Sequence, residues 1–76
     1  MSLTKRDLSN LKKDIEKGLN ENNTSISKMQ HFSGDNFSLR GLFREFNKST
    51  YLIENFTFEE IRPEFEKIIE EIKEKE

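Results

Sequence analysis

The sequence predicts an all-α protein, a small bundle of three to four short helices whose C-terminal helix is kinked or interrupted near Pro63. Three observations predict it. Phe58, Ile61, Phe65, Ile68 and Ile72 recur every three or four positions, the spacing that lines one side of a helix. Leu39, Leu42, Phe43 and Phe46 repeat the template further upstream, as do Leu8, Leu11, Ile15 and Leu19. Two of these stripes follow helix-start signals. Thr4 with Asp7, and Thr57 with Glu60, each place a hydroxyl three residues ahead of a carboxylate, as a capping box requires.

The first helix is expected from Thr4 to about Leu19, with Leu3 and Leu8 as the apolar pair that staples its entry. Asn20-Glu21-Asn22-Asn23 then reads as a loop. A short second helix is expected from Ser25 to His31 or Phe32, with Ile26 and Met29, and at its end Phe32, turned inward. Ser33-Gly34-Asp35-Asn36 is a turn by composition. The third helix is expected over about Phe37 to Asn47, with Gly41 as the point of close helix–helix approach. Asn47-Lys48-Ser49-Thr50 breaks the pattern, and Tyr51-Leu52-Ile53 is too short to assign by periodicity, leaving residues 51–56 either helical or extended. The last helix starts at Thr57. Pro63, at its sixth position, removes a backbone donor and crowds the carbonyl four residues before it, so a kink or a break is expected there.

The 76 residues, read as one domain over 1–76, leave little apolar surface to spare. A chain of this size buries only about 60% of what it exposes unfolded. It contains no Ala, Val, Trp or Cys, and its apolar set is seven Leu, seven Ile, seven Phe, two Met and one Tyr. The core is therefore filled by large side chains, each contributing about 1.5–3 kcal/mol when fully buried. A second copy of the chain or a larger partner would relieve the shortage. Net charge is −2 and uneven: residues 1–48 carry nine Lys and Arg against six Asp and Glu, and residues 49–76 four against nine. Such asymmetry accompanies faces of opposite sign, or a solvated Glu/Lys helix at one end.

No apolar run reaches the ~18 residues that cross a membrane, and no secretory leader pattern precedes the first helix. A cytoplasmic location follows by default. Without Cys there is neither a disulfide framework nor a thiolate metal site. His31 is the single histidine, and a turn glycine separates it from Asp35, so it reads as a helix-end residue beside Phe32. The three isolated glycines form no phosphate loop. Glu59, Glu60, Glu64, Glu66, Glu70 and Glu71 read as a solvated face laced with lysine pairs such as Glu71–Lys75. No catalytic residue, cofactor, metal or small-molecule substrate is expected.

Two kinds of binding remain. The first is a protein–protein contact, accessory or regulatory, with a partner or as a homodimer. Phe58, Ile61, Phe65, Ile68 and Ile72, with Tyr51 and Phe56, are its candidate surface, since aromatic residues dominate interface hot spots as they dominate cores. Phe32, Phe37, Tyr51 and Phe56 fall where full burial is hardest, at loops and element ends. The alternative is nucleic acid. Arg40, Arg44 and Lys48 recur every four residues opposite the apolar side of the third helix. The order of short helix, glycine turn and longer helix over about residues 25–47 resembles a helix-turn-helix, departing from its usual residue types at Gln30 and Arg40. The acidic balance and a pI near 5.5 count against a strong phosphate-binding footprint.

Overall fold

The structure is a computed structural model that describes residues 3–76. Helix α1 spans Lys5–Glu21. It opens on the expected box: the Thr4 hydroxyl accepts from the Asp7 N–H, and the Asp7 carboxylate accepts from the Thr4 N–H, both at 3.1 Å. It runs two residues past Leu19 because the Asn-rich stretch supplies a cap. Asn23 adopts φ 50°, its N–H bonds the Asn20 carbonyl, and the Thr24 N–H bonds that of Leu19. These are the paired bonds of a Schellman motif, with asparagine in the place glycine usually takes.

Helix α2 spans Ile26–Ser33 and is capped by the Ser25 hydroxyl. Gly34 ends it at φ 54°, ψ −125°, a conformation that a Cβ disfavours. One turn of 3-10 helix, Gly34–Asn36, then leads to Ser38, whose hydroxyl caps α3, Leu39–Phe46. Asn47 builds the next turn with both ends of its amide. Its Nδ2 donates to the Ser49 carbonyl and its Oδ1 accepts from the Ser49 N–H, each at 3.0 Å. Ser49 in turn caps α4, Thr50–Asn55. The unassigned run Tyr51-Leu52-Ile53 is thus a helix of its own.

Helix α5 spans Phe58–Glu74, with the Thr57–Glu60 box closed in both directions. It is continuous through Pro63, so the expected interruption does not occur. Five α-helices, and no strand among the described residues, replace the expected three to four. The difference is α4, which the Asn47 turn separates from α3.

α5 is the central element, packing against α1, α2 and α3, while α1 also packs on α3. Leu11, Ile15 and Leu19 from α1, Leu42, Phe43 and Phe46 from α3, and Ile61, Phe65, Ile68, Ile69 and Ile72 from α5 close one core, with Ile26, Leu52 and Phe56. The tight approach lies at Gly18 rather than at Gly41. A Cβ built on Gly18 would fall onto the Phe46 ring, whereas Gly41 is exposed and meets only the Ser38 hydroxyl. Polar ties fasten the periphery. Glu71 reaches across to Lys12 of α1 at 3.0 Å, not along its own helix to Lys75 as its spacing suggested. The Glu76 carboxylate accepts from the N–H groups of Ile26 and Ser27 at 2.6 and 3.2 Å and from the Ser27 hydroxyl at 2.7 Å, joining the end of α5 to the start of α2. No helix among the described residues is long and apolar enough to cross a membrane.

Candidate interaction groove

Most of the stripe expected to meet a partner is used by the chain itself. Ile61 and Phe65 have no exposed surface, and Ile68, Ile72 and Phe56 are buried. Phe58 is half-buried, and of the seven candidates only Tyr51, at 41%, stays exposed. The physical reason is the position of α5. It contacts three other helices, so its apolar side is covered except at Phe58, at its start. Phe58 and Phe65 also form a ring triangle with Phe43, with centroids 5.6–6.0 Å apart and tilted or edge-on faces. That geometry favours aromatic pairs beyond their area burial.

Beside this triangle the surface opens into a groove of about 390 Å³ between α3, α4 and the start of α5. Phe43, Phe56 and Phe58 contribute its apolar lining, Ile53 its α4 wall, and Arg40 and Arg44 its α3 wall, with Thr57 and Glu59 opposite. Each wall follows from local sequence. Leu39, Leu42, Phe43 and Phe46 turn one side of α3 toward the core, which leaves Arg40 and Arg44 outward and one turn apart. Leu52 is the buried residue of α4, so Tyr51 and Ile53 flank it and remain accessible. The Tyr51 ring stands edge-on to Phe56 at 6.1 Å. Phe32, Tyr51 and Ile53 are the exposed large apolar residues among those described, and two of the three therefore belong to α4.

The electrostatics of the groove are cationic. Like charges four residues apart on a helix cost about 0.2–0.5 kcal/mol. Arg40 and Arg44 accept that cost without a carboxylate: neither guanidinium has a hydrogen bond or ion pair among the described residues. A second depression of about 350 Å³ continues from the first, sharing Arg40, Phe58 and Glu59 and ending at Phe37, Leu39 and Arg62. Arg62 is occupied at 3.0 Å by Glu66. Lys48, the third cation of the expected stripe, is exposed but is not part of the groove wall. It follows the end of α3, and its backbone N–H is held by Asp14 of α1 at 3.3 Å.

The two helices of the expected helix-turn-helix do not pack mainly on each other. α2 rests on α5, and α3 rests on α1 and α5. His31 is exposed, its ring edge-on to Phe32 at 5.4 Å, and Phe32, expected to turn inward, is 83% exposed at the end of α2. Among the described residues no group of three or more His, Asp or Glu is arranged to hold a metal ion. The residue that sequence reasoning missed is Ile53. Ser49 two positions before Tyr51 was the available signal, since a serine ahead of an apolar run marks a helix start. No protein-family model, curated protein or solved structure matches the chain.

Proposed function

We propose that this chain is a non-enzymatic helical protein that acts through protein–protein contacts, in an accessory or regulatory role, and that the groove between α3, α4 and α5 is its binding surface. One observation carries the reading. Exposed Ile53 stands in the wall of an aromatic-lined groove whose other wall holds two arginines with no carboxylate partner among the described residues. Interface hot spots combine these ingredients: aromatic and aliphatic anchors in a pocket, with arginine beside them. A homodimer and a foreign protein both remain open to this reading. Photo-crosslinking in cells tests it, with a photoreactive residue placed at position 53 or, as a control, at position 70 on the exposed side of α5. A discrete adduct from position 53 and none from position 70 is the expected result. Equal adducts from both, or none, would remove the groove from consideration.

The nucleic-acid reading of Arg40, Arg44 and Lys48 draws support from the same unpartnered arginines and is the weaker of the two. Phosphate contacts make binding fall steeply with salt. A salt-dependent mobility shift abolished by Arg40→Glu with Arg44→Glu would favour it, and absence of binding at low ionic strength would dismiss it.

A further inference from the structure

Building on the protein-binding reading above, we infer that the groove receives an acidic amphipathic segment of another protein: a large apolar side chain enters between Ile53, Phe56 and Phe58, and one or two carboxylates pair with Arg40 and Arg44. The charge pattern sets the polarity of the occupant. In a chain of net charge −2, two guanidinium groups stand one helical turn apart on one wall, with no carboxylate on either among the described residues. Glu59 is the one acidic residue of the lining. A guanidinium presents a planar fork that matches a carboxylate with two parallel hydrogen bonds, and such pairs strengthen beside low-dielectric walls. The apolar lining sets the rest. A free anion has no use for the Ile53 side, 58% exposed, so the occupant carries oil and charge together. A volume of about 390 Å³ suits a large side chain and its neighbours rather than a whole helix face.

Two other occupants fit less well. Single-stranded nucleic acid needs open ring faces on which bases stack. The rings here are engaged with one another, Phe43 and Phe56 being buried and Phe43 and Phe58 packed at 5.7 Å. A second copy meeting through the same groove in a two-fold contact would have to supply carboxylates from the same patch, and Glu59 is the one acidic residue in the described lining against Arg40 and Arg44. The patch facing itself keeps an excess of positive charge, which selects against that pairing.

Selection of random short peptides displayed on phage, with the intact protein as bait, tests this. Selected peptides should carry Asp or Glu within one helical turn of Leu, Ile, Phe or Trp. Arg40→Glu and Arg44→Glu should each weaken them about tenfold or more, and the doubly reversed protein should prefer versions with Lys in place of Glu. Both arginines are exposed, so unchanged circular dichroism and a melting temperature no lower than that of the parent protein should accompany the loss. Selected peptides without acidic residues that depend on Ile53 but not on the arginines would overturn the acidic partner while sparing the protein-binding reading. Peptides indifferent to Ile53 and to both arginines would overturn both. A single-stranded oligonucleotide that displaces the peptides and binds more tightly than they do, or an Arg44-dependent dimer in sedimentation, would replace the inferred partner.

Discussion

Gly18 lets α1 lie against the Phe46 ring. Replacing it with alanine adds helix propensity of about 1 kcal/mol but inserts a methyl group into a filled space, which costs typically about 1–3 kcal/mol. The ring is buried and cannot swing into solvent, so the packing loss prevails. Gly18→Ala should lower the melting temperature by roughly 5–10 °C, and Phe46→Leu in the same chain should recover part of the loss, as a coupled pair does. Gly41→Ala meets only the Ser38 hydroxyl, at 3.0 Å, and should be far milder. Asn47 matters for a different reason. Its buried amide satisfies both the N–H and the C=O of Ser49. Asn47→Ala leaves that backbone unpaired and should cost about 1–3 kcal/mol. Chemical denaturation should show a lower midpoint with an unchanged slope.

Among the helices, α5 carries most of the fold. Its capping box fixes its start, and the Glu60 carboxyl is held below the ordinary glutamate range, first by the hydrogen bond from the Thr57 N–H and then by the Thr57 hydroxyl. Pro63 is the flaw in it. The residue lies at the sixth helical position, and the Glu59 carbonyl has no N–H four residues ahead to receive. We expect a bend of the axis there, because the proline ring crowds that carbonyl. An interior proline costs a helix about 3 kcal/mol and returns about 0.4–1 kcal/mol by restricting the unfolded chain. Pro63→Ala should therefore stabilise the protein by about 2 kcal/mol, seen as a higher melting temperature. An unchanged or lower value would mean that the helix already accommodates the proline without loss. α3 and α4 set the function proposed above, because one turns its arginines outward and the other places Ile53 beside them.

At the scale of the whole molecule, two polar ties fasten α5 to its neighbours, Glu71 to Lys12 of α1 and Glu76 to the start of α2. The radius of gyration, 12.0 Å, is close to the roughly 11.4 Å of a compact chain of this length. Glu76 bridges the end of α5 to the start of α2. Partial burial raises its carboxyl, but the hydrogen bonds from Ser27 and Ile26 and the charge of Lys73 outweigh this, so its pKa lies below the ordinary 4.5. A carboxyl depressed on folding contributes stability above its unfolded pKa and loses it as pH falls through the folded value. Melting temperature should thus decline as pH drops below about 4.5, through Glu60 and Glu76 together. Glu76→Gln should melt lower at neutral pH and show a shallower acid decline. An identical decline in both proteins would show that the tie contributes nothing. Lys12 runs the other way. Its hydrogen bond to Glu71 raises the ammonium above the ordinary 10.5, so this contribution is present below that value and is lost at higher pH.

The helices and their starts were legible in the sequence because their causes are local: apolar spacing, and hydroxyls three residues ahead of carboxylates at Thr4 and Thr57. The outward arginines of α3 were legible for the same reason, being the complement of Leu39, Leu42, Phe43 and Phe46. Periodicity says which side of a helix is buried, but not what covers it. The C-terminal stripe read as a partner surface until α1, α2 and α3 closed over it, and Gly18 rather than Gly41 took the close contact, because Phe46 lies across from one and solvent from the other. Ser49 signals the start of α4, but the placement of Ile53 in the groove, and the groove itself, belong to tertiary structure alone. They exist only where α4, set off from α3 by the Asn47 turn, stands beside the start of α5, and no spacing along the chain encodes that juxtaposition.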